Sequence, residues 1–598
     1  MAELAVVSQE MNEINREAIC KKISGESGGF FWQTHPVRRL DLSCKCCKDG
    51  CIFGFGNLGQ MMKSEGGVMR SFHSFLAILV SIVSFSLSLR AATVTGMVKG
   101  PGGDPYMGAF VQAKNQQNNI LYSVLSDKQG RYRIASLPAG NYQIQIRAVG
   151  YKAEQQSGVK LAADQNISFD FALQPGTMRW SDISLNQGRK LLPQGKGKDV
   201  LMANCMVCHG FQNVMSLTPR TEAGWHDRIN YMRKAMWWQL PRFDDEKADA
   251  VVSYLAHLFG NDPTAPRSPT DTPGYKDTVR SFGEESMNIA YVEFDVSGSK
   301  GLPWSATPDK DGNLWMPYYG RGNEVARLNP ATAEVKHFLL PFEDSAGVHS
   351  SVPTPDGTVW FTEFALNRIA KLDPQTGKIT EYQDSGDVPG ERPSKHTARV
   401  DAQGNVWTSG SPVTKFDPTT GKFTHFMDAP SSYGITFDKE GNTWFVVLKI
   451  DGTVGRIDAK TGKVTHWHPP TQGRPQRLDI DSNGIVYFSE REGSKVGRFD
   501  PKTETFKEYP LPGPAGTPYA ILVDKDDTVW YNSNDQDTIG HLYPDSGKIV
   551  EYPFPQSDVL MREMFLDSKG RIWFATPTNN RVGYFYLTGA ATSTRASK

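Results

Sequence analysis

The chain of 598 residues carries no excess charge, since 65 Lys and Arg balance 65 Asp and Glu. A neutral chain offers no basic surface for a phosphate backbone, so nucleic acid is not an expected partner. Cysteine is scarce where it could staple a fold. Five of the seven (Cys20, Cys44, Cys46, Cys47, Cys51) fall in the first 51 residues, and only Cys205 and Cys208 follow. No structural disulfide is therefore expected in the later chain. Long apolar runs are also rare, the exception being Phe72 to Leu89. What is plentiful is glycine (56), proline (37) and aromatic residues, with periodic runs between turn signals in the second half. That favours β structure, and the length calls for three or four domains.

Residues 69–92, MRSFHSFLAILVSIVSFSLSLRAA, have a basic start at Arg70, an apolar run and small residues at Ala91-Ala92. This reads as an export signal, which would place the rest in the periplasm or outside the cell. The run has the length at which signals and membrane anchors overlap. Its serines and the β-rich sequence behind it favour cleavage, and Arg90 beside the cleavage site leaves an uncleaved anchor as the alternative. Residues 1–68 show no fold pattern and read as a spurious or disordered extension from a start set too far upstream. A metal-binding or redox head built on their five cysteines is the alternative.

Cys205-Met206-Val207-Cys208-His209 is a C-x-x-C-H run, the attachment pattern of a covalent haem c. On a helix, cysteines three apart share a face, so both thiols can reach the two vinyl groups of one porphyrin. His209 can then give the iron a proximal nitrogen. A zinc site would need further Cys or His at ligand spacing, and none follows locally. Haem attachment to this motif occurs outside the cytoplasm, in agreement with export.

From about Thr93 to Pro175, short alternating segments are separated by Gly, Asp, Asn and Pro turns, as in a small β-sandwich. Ser126-Asp127-Lys128-Gln129-Gly130-Arg131-Tyr132, Leu137-Pro138-Ala139-Gly140-Asn141-Tyr142 and Gly150-Tyr151 resemble the carboxypeptidase regulatory-like domain. The resemblance implies a transthyretin-like sandwich, in some members linked to carbohydrate binding. No catalytic constellation is visible there, so a structural or adhesive module is expected.

Residues 182–260 read as helical. A helix up to His209 is expected to carry the haem motif, another to start at Thr221 to Trp225, and a last one to open at Asp244-Asp245-Glu246. This order resembles a small class I cytochrome c, an all-α domain whose final helix packs across the first. The resemblance implies a methionine as sixth iron ligand. Met232 is the first candidate and Met236 the alternative, while Met215 lies too near the motif. His226 and His257 are weaker candidates, and any of the methionines can instead be core. Residues 261–286, rich in Pro, Ser, Thr and Asp, read as a linker.

From 287 to 588 a unit D-x-x-G-x-x-W-F recurs, each followed by a strand ending in D-P-x-T-G-K and one ending in E-Y. Trp315, Trp360, Trp407, Trp444, Tyr487, Trp530 and Trp573 occupy one slot, 37 to 47 residues apart. Seven such units of four short strands predict a seven-bladed β-propeller. The last unit lacks its outer strand and the first is preceded by a spare one, Tyr291 to Val296, so the two ends should close one blade together.

That register also predicts what lines the axis. The positions eleven before each aromatic slot are Trp304, His349, His396, Tyr433, Gln476, Tyr519 and Arg562. Those three after it include Tyr318, Glu363 and Glu490, and Arg474, Arg477 and Glu563 lie nearby. So many polar groups suit a ligand site in a central funnel, holding a small molecule or a carbohydrate.

The repeats WFTEFALNRIAKLDPQTGKITEY and YFSEREGSKVGRFDPKTETFKEYPLP resemble the virginiamycin B lyases, which are streptogramin lyases. The resemblance covers the whole third domain. It implies a histidine base fourteen residues before a magnesium-binding glutamate, and ring opening of a cyclic depsipeptide by elimination. His349 and Glu363 have that spacing, so His349 is the candidate base, Glu363 a candidate Mg2+ ligand, and Glu490 a second carboxylate from across the funnel. The family's acidic ligand two residues before the base is replaced here by Gly347. The chain thus reads as an exported haem c electron-transfer protein, with a redox partner protein, joined to a lyase-like propeller. The propeller is either catalytic, as an elimination lyase or a haem-linked oxidoreductase, or a non-catalytic docking module.

Overall fold

The computed structural model describes residues 44–47, 50–53, 91–237, 239–341, 346–386, 394–513 and 516–588. The chain divides into two units, Met1–Ser88 and Leu89–Lys598. In the first, the described part is an antiparallel hairpin, Cys44–Cys47 against Gly50–Phe53. The cysteine side chains there, and the stretch up to residue 90 read above as an export signal, lie outside what is described. Among the described residues no helix is long and apolar enough to cross a membrane.

The second unit is mainly β. It begins with a sandwich whose strands include Ala92–Lys99, Phe110–Asn115, Leu121–Leu125, Arg131–Leu137, Gly140–Arg147 and Glu154–Leu161. Alternation is clear in Gly140–Arg147, where Tyr142, Ile144 and Ile146 point into the core. Physical reasons for the motif residues are local. Gly130 has φ +75°, and a Cβ there would lie 2.4 Å from the Val98 carbonyl oxygen. Asp127 fixes the same turn, its Oδ1 accepting from the backbone of Gln129 and Arg131.

Four helices follow: α1 (Leu185–Leu191), α2 (Lys196–Asn204), α3 (Glu222–Ala235) and α4 (Asp245–Phe259). Ser184, Thr221 and Asp244 cap α1, α3 and α4, each side chain accepting a backbone N–H three residues on. They pack around Leu201, Phe211, Trp225, Val251 and Leu255. The expected helix through His209 stops earlier: α2 ends at Asn204, Cys205 is its C-cap, and the C-x-x-C-H run is a turn.

Residues 261–286 behave as a strap rather than a loose linker. Trp180 Nε1 donates to Pro266 O at 2.9 Å, Arg280 pairs with the buried Glu551, and Lys548 reaches Glu285 at 2.7 Å. Composition alone missed these contacts because each partner is far away in sequence.

Seven four-stranded blades then follow in succession, the inner strand of the first being split into Leu302–Pro303 and Thr307–Pro308. The repeat motif has a mechanical cause. In five blades the indole N–H donates to the aspartate six residues earlier: Trp315 to Asp309 (3.0 Å), Trp407 to Asp401 (2.8 Å), Trp444 to Asp438 (2.8 Å), Trp530 to Asp524 (2.9 Å) and Trp573 to Asp567 (2.8 Å). Each link fixes the turn between inner and second strands.

The seventh blade is closed by both chain ends, Ile289–Asp295 pairing antiparallel with Arg581–Leu587. Its outer edge is not free. Ala290 to Glu293 also pair with Leu121 to Val124 of the sandwich, giving one eight-stranded sheet across both domains. The sandwich and propeller therefore share a backbone ladder, which separate domain boundaries at 175 and 287 did not convey.

Candidate functional site

The axis is built by a repeated irregularity. In blades 2 to 6 the inner strand shifts register after Val348, Lys395, Ser432, Pro475 and Pro518. The next residues are His349, His396, Tyr433, Gln476 and Tyr519. A bulge re-aims the side chain it carries. In blade 1 Trp304 sits in the break of the split strand, and in blade 7 Arg562 lies just before Met564–Leu566.

Six of these seven side chains form a closed ring of contacts. Ring centroids are 5.7 Å apart for Trp304–His349, 3.7 Å for His349–His396, 4.1 Å for His396–Tyr433 and 6.0 Å for Tyr433–Tyr519. The two phenol hydroxyls are hydrogen-bonded. The Arg562 guanidinium closes the circle, 5.0 Å from Tyr519 and 4.6 Å from Trp304. Gln476 has the same bulge position, and its buried Oε1 has no hydrogen-bond partner.

Arg477 is the neighbouring cation, 5.0 Å over Tyr433, with Nη1 on Thr397 Oγ1 at 2.7 Å and Glu563 Oε1 at 3.2 Å. Glu563 also takes Arg399 at 2.9 Å. Arg474, the other cation expected near the funnel, is more exposed and stands 3.9 Å from Glu492. A bulge between Pro475 and Leu478 lies where Gln476 and Arg477 leave the regular ladder.

The electrostatics follow from burial and these two arginines. His349 and His396 are held well below the ordinary imidazole range by burial and by Arg477 and Arg562, so both are neutral. Burial would raise the Tyr519 phenol, but Arg562, Arg477 and the Tyr433 hydrogen bond bring it down. Burial also pushes Glu563 up, and Arg477 and Arg399 reverse that, leaving it below the usual carboxylate value.

Glu363 and Glu490 take no part in the ring. Both end the regular second strand of their blade, opposite Val348 and Pro475. The charges around Glu363 are Glu381 and Arg368 of its own blade, and around Glu490 they are Glu508 and Lys495. Burial first, and those neighbouring carboxylates second, push each up to about 8. The His349–Glu363–Glu490 metal arrangement is thus not assembled: Glu363 and Glu490 hold equivalent blade positions, turned to their outer strands. Among the described residues no three His, Cys, Asp or Glu side chains are grouped to hold a metal ion.

Above the ring lies the helical layer. A cleft with about 850 Å3 of empty space, part of it open to solvent, is lined by Cys205, Cys208, His209, Met215, Met232 and Met236 among others. Both thiols are unpaired. Burial raises Cys205 to about 12 and also raises Cys208, which Arg562 partly offsets. His209 Nδ1 is 2.9 Å from Gly210 O, so an Nδ1–H donated there leaves the Nε2 lone pair available. His226 and His257 are exposed, on Asn230 and Thr264 respectively.

The helical layer covers the funnel. Arg562 Nη2 donates to Val207 O, inside the C-x-x-C-H turn, at 2.5 Å. Gly210 N donates to Asp558 Oδ1 at 2.6 Å, Gln239 Nε2 to Tyr319 OH at 2.8 Å, and Arg189 to Asp535 at 2.8 Å. Met236, Trp304, Tyr319 and Ala365 share one apolar cluster with Cys208 and Met232 at its edge. As a result Trp304, His349, Tyr519 and Arg562 are at most 4% exposed. The open polar funnel expected from the sequence is a covered one. No sequence signal announced the cover, because it depends on contacts between segments far apart in the chain, from 80 residues for Gln239–Tyr319 to 355 for Val207–Arg562.

Comparison with known proteins agrees with the two β regions. The model of the virginiamycin B lyase family matches residues 419–597, and that of the carboxypeptidase regulatory-like domain matches 93–174. Among solved structures, virginiamycin B lyase from Staphylococcus aureus is 23% identical, with 50% of this chain and 99% of that one covered and a TM-score of 0.45. A streptogramin B lyase is 26% identical over 51% of this chain and 100% of that one, with a TM-score of 0.46. Curated proteins give no match. Residues 419–597 are thus similar to the virginiamycin B lyase family, and residues 93–174 to the carboxypeptidase regulatory-like domain.

Proposed function

We propose that the protein is an exported electron-transfer protein that carries haem c on Cys205 and Cys208, in a helical domain of the class I cytochrome c type. The observation that carries this reading is the cleft itself. Two unpaired cysteines, a buried histidine with one ring nitrogen uncommitted, and two candidate thioethers, Met232 and Met236, line a single cavity. That donor set fits haem, which Cys205 and Cys208 would anchor and which His209 and either Met232 or Met236 would ligate. Bound there, haem would supply one-electron chemistry. The chain's own residues hold the cleft shut to water on one side: Trp225 and Ile229 back it, and Met236 seals it against Trp304.

The propeller is then a rigid base that fixes the C-x-x-C-H turn through Arg562 and Asp558. Expression in a host that matures c-type cytochromes tests this. The purified protein should retain haem after acid–acetone extraction, and Cys205→Ala with Cys208→Ala should lose it. A protein that emerges without haem beside a matured control cytochrome would overturn the reading.

A second reading, elimination of a streptogramin by the propeller, is favoured by the family match over residues 419–597. Its weak points are the cover over the ring and the outward Glu363. Linearisation of a streptogramin B that disappears in His349→Ala would establish it.

A further inference from the structure

The ring holds more hydrogen-bond donors than it can use. Trp304 Nε1, Arg562 Nε, Arg477 Nε and Arg477 Nη2 are all buried without a partner. His349 Nδ1 is a fifth uncommitted nitrogen, and Gln476 Oε1 an uncommitted acceptor. All five residues are at most 4% exposed. Buried polar groups in folded proteins are almost always satisfied, so a cluster of orphans marks something that binds there.

Its chemistry is set by charge. Two guanidinium groups, Arg477 and Arg562, face the ring with Arg399 behind them, and the carboxylates near them are fewer: Glu563 is already shared between Arg477 and Arg399, and Asp558, in electrostatic range of Arg562, has its carboxyl pushed up by burial. No carboxylate is in direct contact with Arg562: its contacts are the Val207 carbonyl, Trp304 and Tyr519. The two histidines are neutral and add no charge. A cation would meet uncompensated positive charge here, and a neutral ligand would leave it uncompensated. A negative ligand with several acceptor oxygens answers both the charge and the surplus N–H groups.

We propose that the propeller axis, beneath the C-x-x-C-H turn, is a closed binding site for one small oxyanion of the nitrate, sulfate or carboxylate kind. Arg477 and Arg562 hold it by charge, and Trp304 orients it through the indole N–H. The site stands independently of whether the cleft above carries haem, since every group in it belongs to the propeller.

The full-length protein is titrated calorimetrically with nitrate and with sulfate against chloride at matched ionic strength. Desalted protein is also denatured and its released anions counted by ion chromatography. Expected is either saturable binding of one oxyanion per chain, about tenfold tighter than chloride, or one retained oxyanion per chain. Trp304→Phe keeps the ring's shape and Arg562's aromatic face, and should weaken binding about fivefold for one lost hydrogen bond. Arg477→Gln should weaken it about a hundredfold. Where Arg477→Gln does not fold, Trp304→Phe decides. Neither binding nor retained anion would mean that water alone fills the site, and the proposal fails. Binding unchanged in Trp304→Phe would place the anion elsewhere and overturn it equally.

Discussion

Glu563 and the pair Glu363 and Glu490 are all buried in the propeller, but in opposite electrical surroundings. Glu563 follows Arg562 on the approach to an inner strand and meets two arginines, which keep it ionised. Glu363 and Glu490 end second strands, where each has a like charge nearby and both carboxylate oxygens lack a hydrogen bond. The difference is one of backbone regularity. Bulges carry the inner-strand residues and their arginines to the axis, whereas the unbroken ladder of the second strand leaves its last side chain inside the blade.

Substitution of the glutamates should break this symmetry in opposite directions. Glu563→Gln leaves the buried Arg477 and the half-buried Arg399 with one negative charge fewer between them. A loss of about 3 kcal/mol in unfolding free energy is expected at pH 7. Equal stability in denaturant titrations would show that Glu563 is not their counter-ion.

Glu363→Gln and Glu490→Gln should each stabilise, by about 2 kcal/mol at pH 8. The folded pKa of each, about 8, lies above the unfolded value. Their contribution is therefore complete below the unfolded carboxylate pKa and is lost as pH rises toward 8. Glu563 has the reverse sign, because its folded pKa is depressed: its contribution is present above the unfolded value and lost in acid. Melting curves from pH 4 to 9 should show the alkaline decline in the parent chain and a flatter profile in the double variant. An unchanged profile would refute the assignment.

A finer test concerns the ring alone. Tyr433→Phe removes the hydroxyl that bonds Tyr519 without changing the ring's shape. About 1 kcal/mol should be lost, with Tyr519 titrating at higher pH by ultraviolet absorbance. No change in either would detach the two phenols.

Much of this was legible because the repeat is locked locally. The Asp-to-Trp hydrogen bond ties the aromatic slot to its turn in five of the seven blades, so counting back eleven residues reaches the bulge in blade after blade. The seven units and the spare strand Tyr291 to Val296 could be read from the same period. The two regions matched by family models, 93–174 and 419–597, were likewise visible in short motifs. The direction of Glu363 was not, since period fixes position along a strand but a bulge decides the face. Nor was the cover over the ring: Arg562 to Val207 and Gly210 to Asp558 join segments with no shared pattern. The end of α2 at Asn204 was missed because Cys205 to His209 is held in its turn by those same remote contacts.

The ladder in which Ile289–Asp295 lies between Leu121–Leu125 and Arg581–Leu587 has a consequence in time. During synthesis the strand at 289 emerges nearly 300 residues before the partner that completes its blade. The sandwich has by then been made, and its strand can hold one edge of the waiting segment. What looks in the finished molecule like decoration on a propeller is, for the growing chain, a clamp that keeps the first strand of the circle in register until the last arrives.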